Sequence, residues 1–163
     1  VKKLQQFNFI YKSLYKVKVY TSSNLDYYET LKILNLKTID IISFIRNYFK
    51  SIAHIYNLNN IKTQYLVEEY TITIDVTLLE RVLMYLLEFF YGFFLTNNKV
   101  ITIKSEEKSI FFEIYVEDKF DFNNFNNTRL LFVLQKLLHF MNFKVSLKEN
   151  SKNFTLYIEY TNG

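Results

Sequence analysis

The sequence contains no cysteine, no proline and no tryptophan, and its only glycines are Gly92 and Gly163. Without cysteine the chain can form neither a disulfide bond nor a thiolate metal site. Without a cluster of glycines it has no glycine-rich loop whose bare backbone amides could cradle a phosphate group. These absences exclude several common kinds of functional site.

The rest of the composition is typical of one globular domain. The chain has 163 residues, of which 50% are apolar, and this is enough to bury a sizeable core. Most of the 14 tyrosines and 17 phenylalanines lie at periodic positions in apolar runs, which favours core packing over stacking on nucleic-acid bases. The longest apolar run, at 82–95, contains Glu88 and is shorter than the ~20 residues of a membrane-spanning helix. It predicts a buried helix.

Positive charge is concentrated at the N-terminus. Five lysines and no acidic residue fall in the first eighteen positions, at 2, 3, 12, 16 and 18. Taking these five from 20 basic residues leaves 15 against 16 acidic residues, so the body is nearly neutral. The basic segment could contact phosphates, although a solvated helix face is the more common role of such a segment. A nucleic-acid-binding or ribosome-associated structural protein is therefore a lower-ranked hypothesis.

Apolar residues at three- and four-residue intervals predict four helices. The first carries Leu4, Phe7, Tyr11 and Leu14 on one stripe, and we expect it to end before a loop or cap cluster at 21–24. The second is expected at 39–56 with Asp40 near its start, the third at 76–95 after a capping Asp75, and the fourth at 128–141.

Runs rich in β-branched and aromatic residues predict strands at 31–36, 61–67, 70–74, 100–104, 110–117, 143–148 and 154–160. A polar, Asn-rich loop is expected at 118–127. This order predicts an α+β fold: a two-layer α/β sandwich with a mixed sheet, helices on one face and a preceding N-terminal helix. We divide the chain into an N-terminal helix and linker at 1–24 and one domain at 25–163.

Four segments resemble parts of a known family. They are LNLKTIDI at 34–41, DVTLLERVL at 75–83, FFEIYVED at 111–118, and the helix and strand at 129–145. Over residues 31–160 the layout resembles the ATP-binding domain of sensor histidine kinases, part of the gyrase, chaperone, kinase and mismatch-repair ATPase superfamily. Residues 4–15 resemble the tail of that family's dimerisation helix.

The resemblance implies where a magnesium ion would be held, and the sequence departs from the family there. Active members carry an asparagine that binds Mg²⁺ in the middle of the second domain helix, and a supporting asparagine one turn earlier. Phe89 and Tyr85 stand at these positions. A phenyl ring offers no oxygen to a hard cation.

The resemblance also implies the nucleotide's other contacts. Asp118 matches the adenine-reading aspartate, although an acid at the end of a strand is more often simply solvated. The first glycine box has Phe120 and Phe122 in place of its two glycines, and Thr128 and Arg129 stand at the second. Arg129 could contact a phosphate, but a surface ion pair with a nearby aspartate is the more common role.

The only histidines, His54 and His139, suggest no further site. Neither is followed by the acidic residue and proline-containing segment of the family's phosphoacceptor site, and the two are too far apart to form a metal-ligand pattern. We expect no catalytic residue and no metal ligand.

The function that this resemblance implies is a catalytic-domain-like module of a sensor histidine kinase or phosphorelay protein in two-component signal transduction. We expect it to be a pseudokinase that binds no Mg-ATP and no other cofactor. Its expected partners are proteins: a kinase, a response regulator or a second copy joined through the N-terminal helix. We expect a cytoplasmic location, alone or as the cytoplasmic part of a longer membrane sensor. The alternative is a divergent active kinase domain that binds ATP and Mg²⁺ near Asp118.

Overall fold

The structure is a computed structural model, and it describes residues 2–28, 35–56, 62–66, 71–91, 100–106, 109–115, 125–149 and 153–161. The helices are α1 (Lys2–Tyr28), α2 (Ile41–Tyr56), α3 (Val76–Tyr91) and α4 (Phe125–Phe140). The strands are β1 (Leu36–Asp40), β2 (Lys62–Leu66), β3 (Thr71–Asp75), β4 (Val100–Glu106), β5 (Ser109–Tyr115), β6 (Phe143–Glu149) and β7 (Asn153–Tyr160).

The strands form two sheets. β1 and β3 pair antiparallel as a two-stranded sheet, and the other strands form a five-stranded sheet in the order β2-β4-β5-β7-β6. Within the larger sheet β2 lies parallel to β4 and the remaining pairs are antiparallel, so the sheet is mixed as predicted. Ile103, Phe112 and Leu156 lie in register across β4, β5 and β7, and all three are buried on the helix side.

The opposite face of the larger sheet is partly exposed. There Lys104 and Glu113 form an ion pair at 3.3 Å, and the rings of Phe111 and Tyr157 meet edge to face with centroids 4.8 Å apart. The alternation of buried and half-exposed residues along β5 and β7 follows the two-residue period of a strand. The helices therefore cover one face, which confirms the expected α+β sandwich.

Two aspartates start the central helices, as the sequence predicted. Asp40 accepts a hydrogen bond from the Ile42 amide at 3.3 Å and one from the Ser43 hydroxyl at 2.6 Å. The buried Asp75 accepts from the Thr77 and Leu78 amides at 3.0 and 3.1 Å. These bonds satisfy amides that have no partner within the first turn of a helix.

Asp75 also connects α3 to the segment before β1. Its second carboxylate oxygen accepts a hydrogen bond from the Asn35 amide at 3.1 Å. One buried side chain thus holds both the start of α3 and the beginning of the β1–β3 pair.

Asn142 follows the end of α4, at a position where many proteins place glycine. Its φ of 66° is in the left-handed region, and its backbone N–H donates a hydrogen bond to the His139 carbonyl at 3.0 Å. The side chain of His139 itself is exposed in the last turn of α4.

Several predicted boundaries were wrong. Residues 21–24 continue α1 instead of forming a loop or cap, because Ser23 is buried against the domain and Asn24 accepts a hydrogen bond from Arg129 of α4. Residues 39 and 40, predicted as the start of the second helix, belong to β1, so α2 begins at Ile41. Asn35, predicted as part of a strand, lies before β1. Helix α4 begins at Phe125, inside the segment expected to be a loop.

The double role of Asp75 predicts a larger loss of stability on its removal than on removal of Asp40. Asp75→Ala removes a helix cap and leaves the buried Leu78 amide and two partly buried amides without this acceptor, so we expect a loss of about 3 kcal/mol in the free energy of unfolding. Asp40→Ala removes a partly exposed cap and should lose about 1 kcal/mol. Urea denaturation measures both, and equal losses would show that the Asn35 bond contributes nothing.

Candidate functional site

The two positions that resemble the magnesium-binding region lie inside the core. Tyr85 and Phe89 each have 0% of their surface exposed, one turn apart on α3. The ring of Phe89 lies 6.0 Å from that of Phe90, which lies 5.8 Å from Phe112 on β5. Phe90 thus links α3 to the sheet, and Phe89 packs beside it in the core.

The Tyr85 hydroxyl lies in a polar setting at the edge of this core. Burial raises the pKa of Tyr85, and the effect is partly offset by hydrogen bonds with Arg81 and Ser22 and by the charge of Arg129. Ser22 belongs to α1 and Arg129 to α4. The hydroxyl of Tyr85 thus marks the point where three helices meet.

Arg129 is 7% exposed, so the expected surface position is wrong. Its guanidinium donates a hydrogen bond to the side-chain oxygen of Asn24 and lies 4.8 Å from the centroid of the Tyr20 ring. Both partners are on α1. An arginine that combines a hydrogen bond with stacking on a ring uses the planar geometry that lysine lacks.

The helix residues that meet Tyr85 and Arg129 were missed by the sequence reasoning. Ser22 and Asn24 fell in the expected loop, and Tyr20 was given no role. One signal in the sequence indicates that α1 continues through this segment. Tyr15, Val19 and Ser23 recur every four residues and so share one face of a helix, and in the structure Val19 and Ser23 are buried and Tyr15 is partly buried. We name the contact of residues 19–24 with α3 and α4 the α1 junction.

Of the other predicted site residues, the structure describes only Thr128. Thr128 is exposed in the first turn of α4. Asp118 and Phe120, together with Phe122, lie outside the described residues, as does the segment that would read an adenine. Their proposed roles stay predictions.

Beyond the junction, the first half of α1 exposes its apolar residues. Phe7, Ile10, Leu14 and Val17 follow intervals of three, four and three residues, and each is more than half exposed. This is the spacing of a coiled-coil seam. We name these four residues the α1 seam.

The described residues contain neither a helix suited to span a membrane nor a group of metal ligands. No helix among them is both long and apolar enough to cross a membrane. Within the same ranges, no three histidine, aspartate or glutamate side chains are grouped so that they could hold a metal ion.

The fold is similar to solved structures of histidine kinases. The kinase AdeS of Acinetobacter baumannii matches with a TM-score of 0.63 and 16% identity, over 90% of this chain and 77% of that chain. The cytoplasmic segment of QseC matches with a TM-score of 0.59 and 13% identity, over 94% and 93%. ThkA, solved with the response regulator TrrA, matches with a TM-score of 0.64 and 16% identity, over 96% and 51%.

These similarities establish the fold. The chain has the fold of the histidine-kinase catalytic domain with an additional N-terminal helix, as the sequence predicted. No protein-family model and no curated protein matches the sequence.

The burial of Arg129 predicts that its removal destabilises the α1 junction. Arg129→Ala loses a charge-assisted hydrogen bond and a cation–π contact and leaves the Asn24 amide without its donor, so we expect a loss of about 2 kcal/mol. Arg129→Lys should restore only part of it. Gln135→Ala, an exposed change on the same helix, is the control and should alter stability by less than about 0.5 kcal/mol. Urea denaturation is the measurement, and equal effects of Arg129→Ala and Gln135→Ala would contradict the junction's role.

Proposed function

We propose that this chain is a non-catalytic module of two-component signalling: a histidine-kinase-like domain that binds no Mg-ATP and acts through protein contacts. The fold supports the signalling role. The observation that carries the loss of nucleotide binding is the complete burial of Tyr85 and Phe89, at the positions that the resemblance assigns to the magnesium-binding asparagines.

Restoring a metal site at these positions would require the rings to leave the core. Removal of a buried phenyl ring typically costs about 3–5 kcal/mol, a large part of the stability of a domain of this size. Even an exposed Phe89 would supply no oxygen ligand to Mg²⁺, and Tyr85 would supply only a neutral phenol in place of an amide oxygen. Both the packing and the ligand chemistry therefore oppose metal binding.

The α1 junction gives a second reason. Arg129 stands where the resemblance would place a phosphate contact, and its guanidinium is engaged by Asn24 and Tyr20 of α1. A phosphate at Arg129 would have to compete with contacts that are already made within the chain. Its positive charge is therefore used to hold α1.

The partner that we propose for α1 is a second copy of the chain. The α1 seam exposes four large apolar side chains on one side of a helix, and apolar stripes of this kind are usually covered in an assembly. ThkA was solved with a response regulator. By analogy, a response regulator or a kinase is the proposed partner of the assembled module, and the proposed location is the cytoplasm.

The absence of Mg-ATP binding is testable by isothermal titration calorimetry. We expect no saturable heat with Mg-ATP, and no rise in melting temperature at millimolar Mg-ATP relative to Mg²⁺ alone. A ligand that binds only the folded state must stabilise it by RT ln(1 + [L]/Kd), so the two measurements check each other. Micromolar binding would end the proposal and favour a divergent active kinase that holds nucleotide near Asp118.

The dimer is testable by light scattering coupled to size-exclusion chromatography. Ile10→Glu combined with Val17→Glu places two charges in the α1 seam and should convert a dimer into a monomer. The control, Gln5→Glu combined with Lys16→Gln, changes the net charge equally on the opposite side of the helix. It should leave the dimer intact. A wild-type chain that is monomeric at all concentrations tested would refute the dimer.

A further inference from the structure

A cavity lies between the middle of α1, the second half of α2 and the first half of α3. Its volume is about 720 Å³, within the range of small-molecule sites. Ile52, Ile55 and Met84 are buried side chains in its lining. The cavity is thus large enough for a small ligand and mainly apolar at its base.

Two phenols give the cavity hydrogen-bonding capacity. Tyr15 of α1 and Tyr48 of α2 both line it, and neither is more than half exposed. Burial, together with the neighbouring Tyr15 and Glu80, raises the pKa of Tyr48, so this hydroxyl stays protonated at physiological pH. A neutral phenol can donate a hydrogen bond to an anionic oxygen.

The charges at the cavity favour an anion. Among the described lining residues, Lys18 and Arg81 are cationic and Glu80 is the acidic one. Arg81 also hydrogen-bonds Tyr85, but unlike the buried Arg129 it is partly exposed, and its charge acts on the cavity that it lines. The lining therefore carries a net charge of about +1 next to an apolar base.

From this combination we propose that the cavity between α1, α2 and α3 binds a small amphipathic monoanion, namely a carboxylate with an aliphatic or aromatic body. The apolar body lies against Ile52, Ile55 and Met84, and the carboxylate lies near Lys18, Arg81 and the two phenols. Such a ligand would hold α1 against α2 and α3, because helices from both sides line the cavity. The proposal does not depend on whether the chain binds Mg-ATP.

Methyl NMR can test this site directly, because the chain has two methionines. Met84 lines the cavity, whereas Met141 is buried after the end of α4 and takes no part in the lining. In protein labelled with ¹³C at the methionine methyl groups, octanoate should shift the Met84 signal in a saturable way and leave Met141 unchanged. Octyltrimethylammonium, with an equally long chain and the opposite charge, should bind at least fivefold more weakly. Both are used below the concentrations at which they form micelles.

A charge reversal at the cavity provides the matched variant. Lys18→Glu changes an exposed lining residue and should weaken octanoate binding by about five- to tenfold. Lys50→Glu makes the same change at an exposed position of α2 outside the lining and should change the affinity less than twofold.

Four results would overturn the proposal: no Met84 shift with octanoate, equal affinity for the cation, a parallel shift of Met141, or equal effects of the two variants.

Discussion

Helix α3 must be covered on nearly every side, and the rest of the structure is arranged to provide that cover. From Val82 to Leu87 every side chain is buried, as are Phe89 and Phe90. A helix that is apolar all round cannot face water on any broad side. The sheet meets it through Phe112, α2 and α4 pack beside it, and α1 closes the side near Tyr85.

Part of that cover comes from residues 19–24, where α1 is joined to the domain. The junction buries Val19 and Ser23 and ties Asn24 and Tyr20 to the guanidinium of Arg129. The cavity beside Tyr15 and Tyr48 lies next to this closely packed contact. One helix thus carries the junction, one wall of a cavity and a seam for a proposed second copy.

Much of the fold could be predicted because its signals are local. Asp40 and Asp75 act through amides two or three residues away, and the strand periods of β5 and β7 follow from their own residue order. The wrong boundary at 21–24 has a different cause. Thr21, Ser22, Ser23 and Asn24 favour a loop by composition, but contacts with residues about a hundred positions away keep them helical.

Some properties of the candidate site likewise follow from the sequence, and others depend on the tertiary structure. Residue types alone determined that positions 85 and 89 carry no oxygen ligand for Mg²⁺ beyond one phenol and that no glycine-rich loop exists, because these are properties of single side chains. The apolar run at 82–95 also predicted a buried helix around Tyr85 and Phe89, and the structure confirms it. Only the tertiary structure decided that Arg129 is buried and turned toward α1. Burial depends on which elements pack together, and the partners of Arg129 come from a helix more than a hundred residues earlier in the chain.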